Sequence, residues 1–195
     1  PPAGTHPPTD PPTRPRPPTP TGHPTPPRPP PTPTPTPTPT CTPPAPAPTG
    51  APSGTLTDVQ KTTLAAVMEE QQLANDLYLA FANTYPTSVF GCIGSEATGQ
   101  LTETRNVLNV YAVADPTAGQ PVGKFTSAST QQQYDSLLAQ GATSVDTAYA
   151  AARTLESTTI TDLQTAATDA SAPDVLQLYA NLLGDSRRHL TAFDG

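Results

Sequence analysis

Long apolar runs are missing from this sequence of 195 residues. No stretch approaches the roughly 20 consecutive apolar residues that a membrane-spanning helix needs, and no basic segment followed by an apolar one indicates a secretion signal. Because the sequence begins at Pro1 rather than Met, we interpret it as a mature or trimmed product. It has two cysteines, Cys41 and Cys92, without Cys-x-x-Cys spacing, so it is not a disulfide-rich scaffold.

Proline divides the chain into two parts. Residues 1–54 contain 25 of the 29 prolines and no Val, Ile, Leu or Phe. Such a segment cannot bury enough apolar surface to offset its chain entropy. Residues 55–195 are enough for one domain with a hydrophobic core. The sequence therefore predicts an extended arm over residues 1–54 and a globular domain over residues 55–195.

Charge is also divided between the two parts. The arm carries Arg14, Arg16 and Arg28 against Asp10, which gives a net charge of +2, whereas the domain has a net charge of −9. An acidic domain is a poor partner for nucleic acid or an anionic membrane. The arm could instead be attracted, weakly, to the domain of a neighbouring copy.

Alternating proline and threonine over residues 31–40 predict a polyproline II helix, because proline fixes its own φ and extends the residue before it. The whole arm would then span on the order of 170 Å. Its composition is typical of O-glycosylated stalks. We interpret it either as a disordered spacer or as a rod that docks on another copy; Cys41, directly after the run, favours the rod. The candidate glycosylation sites are Thr32, Thr34, Thr36, Thr38 and Thr40.

The domain reads as four long amphipathic helices and one short helix. No segment alternates with period 2, so we predict no sheet. The expected architecture is an all-α four-helix bundle with a long crossover between its second and third long helices. A Thr57–Gln60 capping box begins the first long helix, and Tyr85-Pro86 ends it. The second long helix is expected over about 91–113, and the short helix near 129–140. Ser144 begins the third long helix, and Ser171-Ala-Pro-Asp174 begins the fourth.

Each long helix places a carboxylate or imidazole on its apolar face: Glu70, Glu96, Glu156 and His189. Burying such groups without partners is costly. In ferritin-like bundles two helices each give a Glu and two give Glu-x-x-His to bind two metal ions, and this chain supplies about half of that set. Three interpretations stay open: a hydrogen-bonded network neutralised by Arg187 or Arg188, a single Fe, Mn or Zn ion, and a two-metal oxidase.

Other reactive patterns are absent, so the sequence predicts no catalytic residue and favours a non-enzymatic role. There is no Gly-x-Ser-x-Gly motif or phosphate-binding loop, and Cys92 has no histidine near it in sequence. We interpret four further acidic residues as solvated helix faces; they are Glu69, Asp76, Glu103 and Asp162.

Several segments, in order along residues 56–194, resemble the bacterial family known as domain of unknown function 2202. The resemblance implies a ferritin-like fold and carries over Glu70, Glu96, Glu156 and His189 as candidate metal ligands. The arm lies outside it. The matching segments are Glu69-Glu-Gln-Gln-Leu-Ala-Asn-Asp-Leu-Tyr78, Ser95-Glu96, Tyr111, Asp115-Pro116, Tyr134, Leu137-Leu138, Gly141, Leu155-Glu156, Asp162-Leu163 and Gly184-Asp-Ser-Arg-Arg-His-Leu-Thr-Ala-Phe193.

Two functional hypotheses follow. In the first, the chain is an extracellular structural protein that self-associates into a filament or surface layer through its arm. Cys41 and Cys92 would form a disulfide within or between chains in an oxidising location, although either could be a free thiol. In the second, the chain is a secreted metal-binding or oxidoreductase domain on a glycosylated stalk.

Overall fold

The computed structural model describes residue 4 and residues 50–194, which form five α-helices and no strands. This confirms the prediction of an all-α domain, and none of these helices is long and apolar enough to cross a bilayer. The helices are α1 (Asp58–Thr84), α2 (Ser88–Val110), α3 (Ala128–Gly141), α4 (Val145–Asp169) and α5 (Pro173–Asp194).

The predictions for the arm lie outside the described residues. They are the polyproline II conformation, the five glycosylation sites Thr32, Thr34, Thr36, Thr38 and Thr40, and the pairing of Cys41. All of them stay predictions.

Local capping fixes most helix ends where the sequence predicts them. In α1 the Thr57 hydroxyl accepts from the Gln60 backbone N–H at 3.2 Å, and the Gln60 side chain accepts from the Thr57 N–H at 2.9 Å. Ser144 caps α4 in the same way. The second helix begins earlier than predicted, since Thr87 caps it, and ends at Val110, shortly before Ala112 adopts a positive φ of 52°.

Four of the helices form a closed ring. Helix α1 packs against α2 and α4, and α5 packs against the same two, so α2 and α4 lie diagonally opposite each other. The connection between this diagonal pair is the long crossover, consisting of the loop 111–127 and α3. Helix α3 packs on the outside of α1 and α4. The result is a helical bundle with α3 covering a second face of α1.

The core consists of two apolar clusters with a polar layer between them. One cluster includes Leu73, Phe90 and Leu155, and the other includes Leu64 and Leu163. Along each ring helix the sequence passes from one cluster to the other through buried polar side chains. These polar side chains are Gln71, Glu96, Gln100, Glu156, Thr159, Ser186 and His189.

Buried carboxylates of α1 hold the crossover loop. Glu69 accepts from the backbone N–H groups of Thr126 at 2.7 Å and Ser127 at 3.0 Å, and Asp76 accepts from the N–H of Gly123 at 2.7 Å. The prediction that Glu69 and Asp76 are solvated is therefore wrong. The physical reason is the packing of α3 and its loop on the side of α1 that a simple four-helix bundle leaves in water.

Glu103 corrects the same prediction on α2. Its side chain is buried, and one carboxylate oxygen accepts from the Asn181 amide of α5 at 3.0 Å. The other oxygen has no hydrogen-bond partner within the part of the chain that the structure describes. Burial, opposed by the Asn181 hydrogen bond, raises the pKa of Glu103. Asp162, in contrast, is exposed as predicted.

We expect Gly141→Ala to destabilise the domain by about 1–3 kcal/mol, the usual cost of overpacking a core. A Cβ at Gly141 would overlap the Phe81 ring and would lie 3.1 Å from the Ala148 Cα, where α3 turns into α4. Urea unfolding measures the loss. Gly184→Ala is the matched control, because its Cβ would meet no atom within 4 Å; equal stability of the two variants would contradict the prediction.

A short strap, residues 50–57, leads into α1 and is fastened to α5. The Ser53 hydroxyl donates to the Asp174 carboxylate at 2.6 Å and accepts from the Asp174 backbone N–H at 2.9 Å. The Tyr111 hydroxyl also donates to Asp174. These hydrogen bonds outweigh the effect of burial and lower the pKa of Asp174. The strap is thus attached at the beginning of the last helix before the first helix starts.

Candidate functional site

The polar layer centres on a buried histidine between two carboxylates. His189 Nδ1 lies 2.9 Å from Glu156 Oε1, and His189 Nε2 lies 3.0 Å from Glu96 Oε2. Only 3% of His189 is exposed. A carboxylate oxygen can only accept, so each ring nitrogen must donate a proton. The geometry therefore fits a positively charged imidazolium.

The electrostatics agree with this protonation state. Burial alone would lower the pKa of His189, because it disfavours the charged ring. The hydrogen bonds and negative charges of Glu156 and Glu96 outweigh burial and raise the pKa above its ordinary value. The buried positive charge is therefore stabilised by the two carboxylates that flank it.

Two further side chains extend these contacts into what we call the His189 network: Tyr78, Glu96, Glu156, Arg188 and His189. The Tyr78 hydroxyl donates to Glu156 Oε1 at 2.6 Å, and its own pKa is raised well above the ordinary value by burial and by Glu156. Arg188 donates to Glu96 Oε2 at 3.3 Å and pairs with Asp185 at 2.9 Å. The network thus runs from the core to the surface.

Helix geometry explains why these residues meet. Glu96, Glu156 and His189 lie where the apolar stripes of α2, α4 and α5 change from one core cluster to the other. Tyr78 of α1 belongs to the first cluster, and its hydroxyl reaches Glu156 from there. On α5, His189 lies one turn after Ser186 and one turn before Phe193, all on the buried side. The network therefore joins the ring helices at one level of the bundle.

Glu70 is the predicted site residue that the structure places elsewhere. Its carboxylate accepts from the Thr159 hydroxyl at 2.8 Å, and it lines a cavity beside Asp162. Burial, opposed by the Thr159 hydrogen bond and reinforced by the charges of Asp162 and Glu156, raises the pKa of Glu70 to about 7. The structure thus joins three of the four predicted residues, Glu96, Glu156 and His189, by direct hydrogen bonds.

The residues present do not fit a metal ion in this arrangement. Within the described residues, no three His, Cys, Asp or Glu side chains form a group that could hold one. A metal-bound histidine normally gives one ring nitrogen to the ion and the other to a supporting partner, whereas both nitrogens of His189 already bind carboxylates. The geometry is that of a closed hydrogen-bonded network.

Cys92 lies close to this network. It is buried, and its Sγ is 3.9 Å from Glu96 Oε1. Cys92 is not a free thiol. Since Cys41 lies outside the described residues, the predicted Cys41–Cys92 disulfide stays a prediction.

Tyr78 is the network member that sequence reasoning missed. It lies one turn after Ala74 and three residues before Phe81, so its spacing alone indicates an ordinary core aromatic residue. The available signal was its hydroxyl, because a fully buried tyrosine needs a polar partner. Arg188 was identified from the sequence as one of two arginines able to neutralise the layer, and the structure selects it over Arg187 for contact with Glu96.

Comparisons with known proteins agree with the helical architecture. The chain is 27% identical, over 138 residues, to an uncharacterized protein, MJ0754, of Methanocaldococcus jannaschii; the match covers 71% of this chain and 75% of that protein. The crystal structure of hypothetical protein MJ0754 superposes with a TM-score of 0.72 at 26% identity, covering 74% of this chain and 83% of that chain.

The family comparison covers the bundle from the first turn of α1 onward, but not the arm. Residues 60–194 match the model of an uncharacterized protein domain, DUF2202. The match includes every member of the His189 network and the crossover loop that α1 holds. The chain therefore belongs to the DUF2202 family.

Proposed function

We propose that this chain is an extracellular structural protein whose helical bundle is a non-catalytic subunit and whose Pro/Thr-rich arm docks on neighbouring copies. The observation that carries the proposal is the closed His189 network. Both ring nitrogens of His189 bind carboxylates, and the layer is buried between two apolar clusters. Such a network stabilises one packing arrangement of the four helices and leaves no nitrogen of His189 for a substrate or ion.

In this proposal the bundle has a ferritin-like fold whose role is structural and not metal-binding. The ring of four long helices, the long diagonal crossover and a glutamate or histidine on three of the ring helices at one level support that description. Where a ferritin-like centre would use two histidines, this domain has one. The chain keeps the polar layer and uses it for cohesion between helices.

The arm provides the means of assembly. It has a net charge of +2, whereas the bundle has a net charge of −9, and a fully extended arm of 54 residues would reach on the order of 170 Å. An arm that docks on the next copy makes a head-to-tail contact, and such contacts propagate into filaments unless the rotation closes a ring. O-linked glycans on the arm and a disulfide at Cys92 fit an oxidising, extracytoplasmic location.

Electron microscopy of the purified full-length chain, combined with sedimentation over a range of concentrations, tests the proposal. We expect filaments or closed rings, and a sedimentation coefficient that rises with protein concentration. Non-reducing electrophoresis of wild type beside Cys41→Ser would show whether a disulfide joins two copies. A monomer at every concentration, with single particles in the microscope, would overturn the structural role.

Elemental analysis tests the non-catalytic part separately. After loading with Fe(II), Mn(II) and Zn(II) and desalting, we expect less than 0.1 metal ion per chain, on the order of adventitious binding. His189→Gln is the matched control for any residual signal. One or two ions per wild-type chain, lost in that variant, would instead support the secreted metal-binding function.

A further inference from the structure

A polar cavity of about 330 Å³ opens between α1, α3 and α4. Two carboxylates, from Glu70 of α1 and Asp162 of α4, lie in its wall, and the other polar lining groups are hydroxyls and an amide. None of the described residues that line it carries a positive charge. The described lining therefore supplies acidic groups and hydrogen-bond acceptors but no positive charge.

From this cavity, and on the basis of the proposed function, we infer that it receives an arginine side chain from the arm of a second copy. Three arginines are available in the arm: Arg14, Arg16 and Arg28. Three of the four bundle arginines already bind acceptors in their own bundle; these are Arg105 with Asp115, Arg153 with the Phe193 carbonyl, and Arg188 with Glu96 and Asp185.

The lining suits a guanidinium. Its five N–H donors need several acceptors around one plane, and the cavity offers two carboxylates on different helices. The Thr63 hydroxyl donates to the Val59 carbonyl, so its remaining lone pairs are free to accept. Val67 and the Ala66 and Ala166 methyl groups give an apolar wall for the methylene stem of the arginine.

The surroundings of the Glu70 carboxylate also favour a guanidinium in this cavity. Within the described residues the Thr159 hydroxyl is the donor to its carboxylate, and its pKa is raised because the charged form is poorly solvated there. A guanidinium placed beside it would stabilise the charged form and lower that pKa. Docking of the arm would therefore satisfy a carboxylate that the isolated bundle leaves underneutralised.

Sedimentation of full-length variants tests the inference. We expect Asp162→Asn to weaken self-association by roughly fivefold, the scale of one well-placed ion pair. The arm variant R14Q/R16Q/R28Q should weaken it at least as much, and R14K/R16K/R28K should fall between that variant and wild type, because lysine keeps the charge but not the planar fork. Added salt should weaken the self-association of wild type more than that of R14Q/R16Q/R28Q or of Asp162→Asn.

A double-mutant cycle decides whether the two parts meet. If the arginines occupy this cavity, combining Asp162→Asn with the arm variant should add little to the larger single effect. Asp146→Asn, an equal charge change at an exposed position at the start of α4, is the control and should leave association near wild type.

The outcomes separate this inference from the proposed function. If wild type never associates, the structural role itself fails, and the inference fails with it. If wild type associates but Asp162→Asn matches Asp146→Asn, or if the cavity and arm effects are fully additive, the arginine docking is overturned while the structural role stands.

Discussion

Replacing His189 with alanine should lower the free energy of unfolding by about 3–5 kcal/mol, the cost of breaking a buried ion pair by removing one partner. Glu96 and Glu156 would lose the ring that lies between them, in a layer with apolar clusters on both sides. Tyr78 would still donate to Glu156, and Arg188 would still donate to Glu96. Urea unfolding followed by circular dichroism measures the change.

Two companion variants make this result specific. Thr191→Ala removes an exposed hydroxyl on the same helix that donates to the Arg187 carbonyl, and it should change stability by less than about 0.5 kcal/mol. The triple variant E96Q/E156Q/H189L removes the charges together with the imidazole, and it should recover part of the lost stability. If His189→Ala unfolds like Thr191→Ala, the His189 network does not hold the bundle.

The fold should lose stability as pH rises from about 4.5 to about 7, and Glu70→Gln should remove that loss. The pKa of Glu70 rises from 4.5 to about 7 on folding, so the folded chain binds more protons than the unfolded chain in this window. Stability then falls with increasing pH. The difference corresponds to about 3 kcal/mol at pH 8. Below pH 4.5 the variant and wild type should be equally stable.

His189 acts in the same direction at higher pH. Its folded pKa is raised, so its stabilising effect is fully present below its unfolded value of 6.5 and is lost as pH rises through the folded pKa. Denaturation curves collected from pH 4 to pH 9 separate the two groups, because Glu70→Gln should remove only the lower window and His189→Gln only the upper one.

Glu69→Gln is the matched control for Glu70→Gln. The two positions are adjacent on α1, but Glu69 accepts hydrogen bonds from the loop N–H groups of Thr126 and Ser127. Removing its charge weakens those bonds and should lower stability at neutral pH. If both variants were stabilised at pH 8, general relief of negative charge would explain the effect, and the local account of Glu70 would be wrong.

Much of the bundle could be predicted from the sequence because its signals are local. The Thr57–Gln60 capping box, Tyr85 before Pro86, and Ser144 act within a few residues of the helix ends that they specify. The placement of His189 and Glu156 on the buried side follows from helical spacing alone. These features need no knowledge of how distant segments pack.

The remaining features depend on packing between distant segments. Glu69 and Asp76 are buried because α3 and its loop fold back on α1, some 50 residues later in the chain. Spacing along α1 places Glu70 toward the interior. Its carboxylate accepts from the Thr159 hydroxyl of α4 and makes no direct hydrogen bond to His189 within the described residues. Spacing along one helix does not indicate which residues of other helices it contacts. The sequence therefore predicts which residues face the interior, but not which of them form hydrogen bonds with one another.

The hydrogen bonds of the strap determine how the domain would respond to a pull at residue 50. A force applied through residue 50 reaches the paired hydrogen bonds between Ser53 and Asp174 before it reaches α1. Part of the load therefore passes to α5, whose far end carries His189, and from there across the ring to α2 and α4. Tension would then be shared among several helices before the first turn of α1 unwinds.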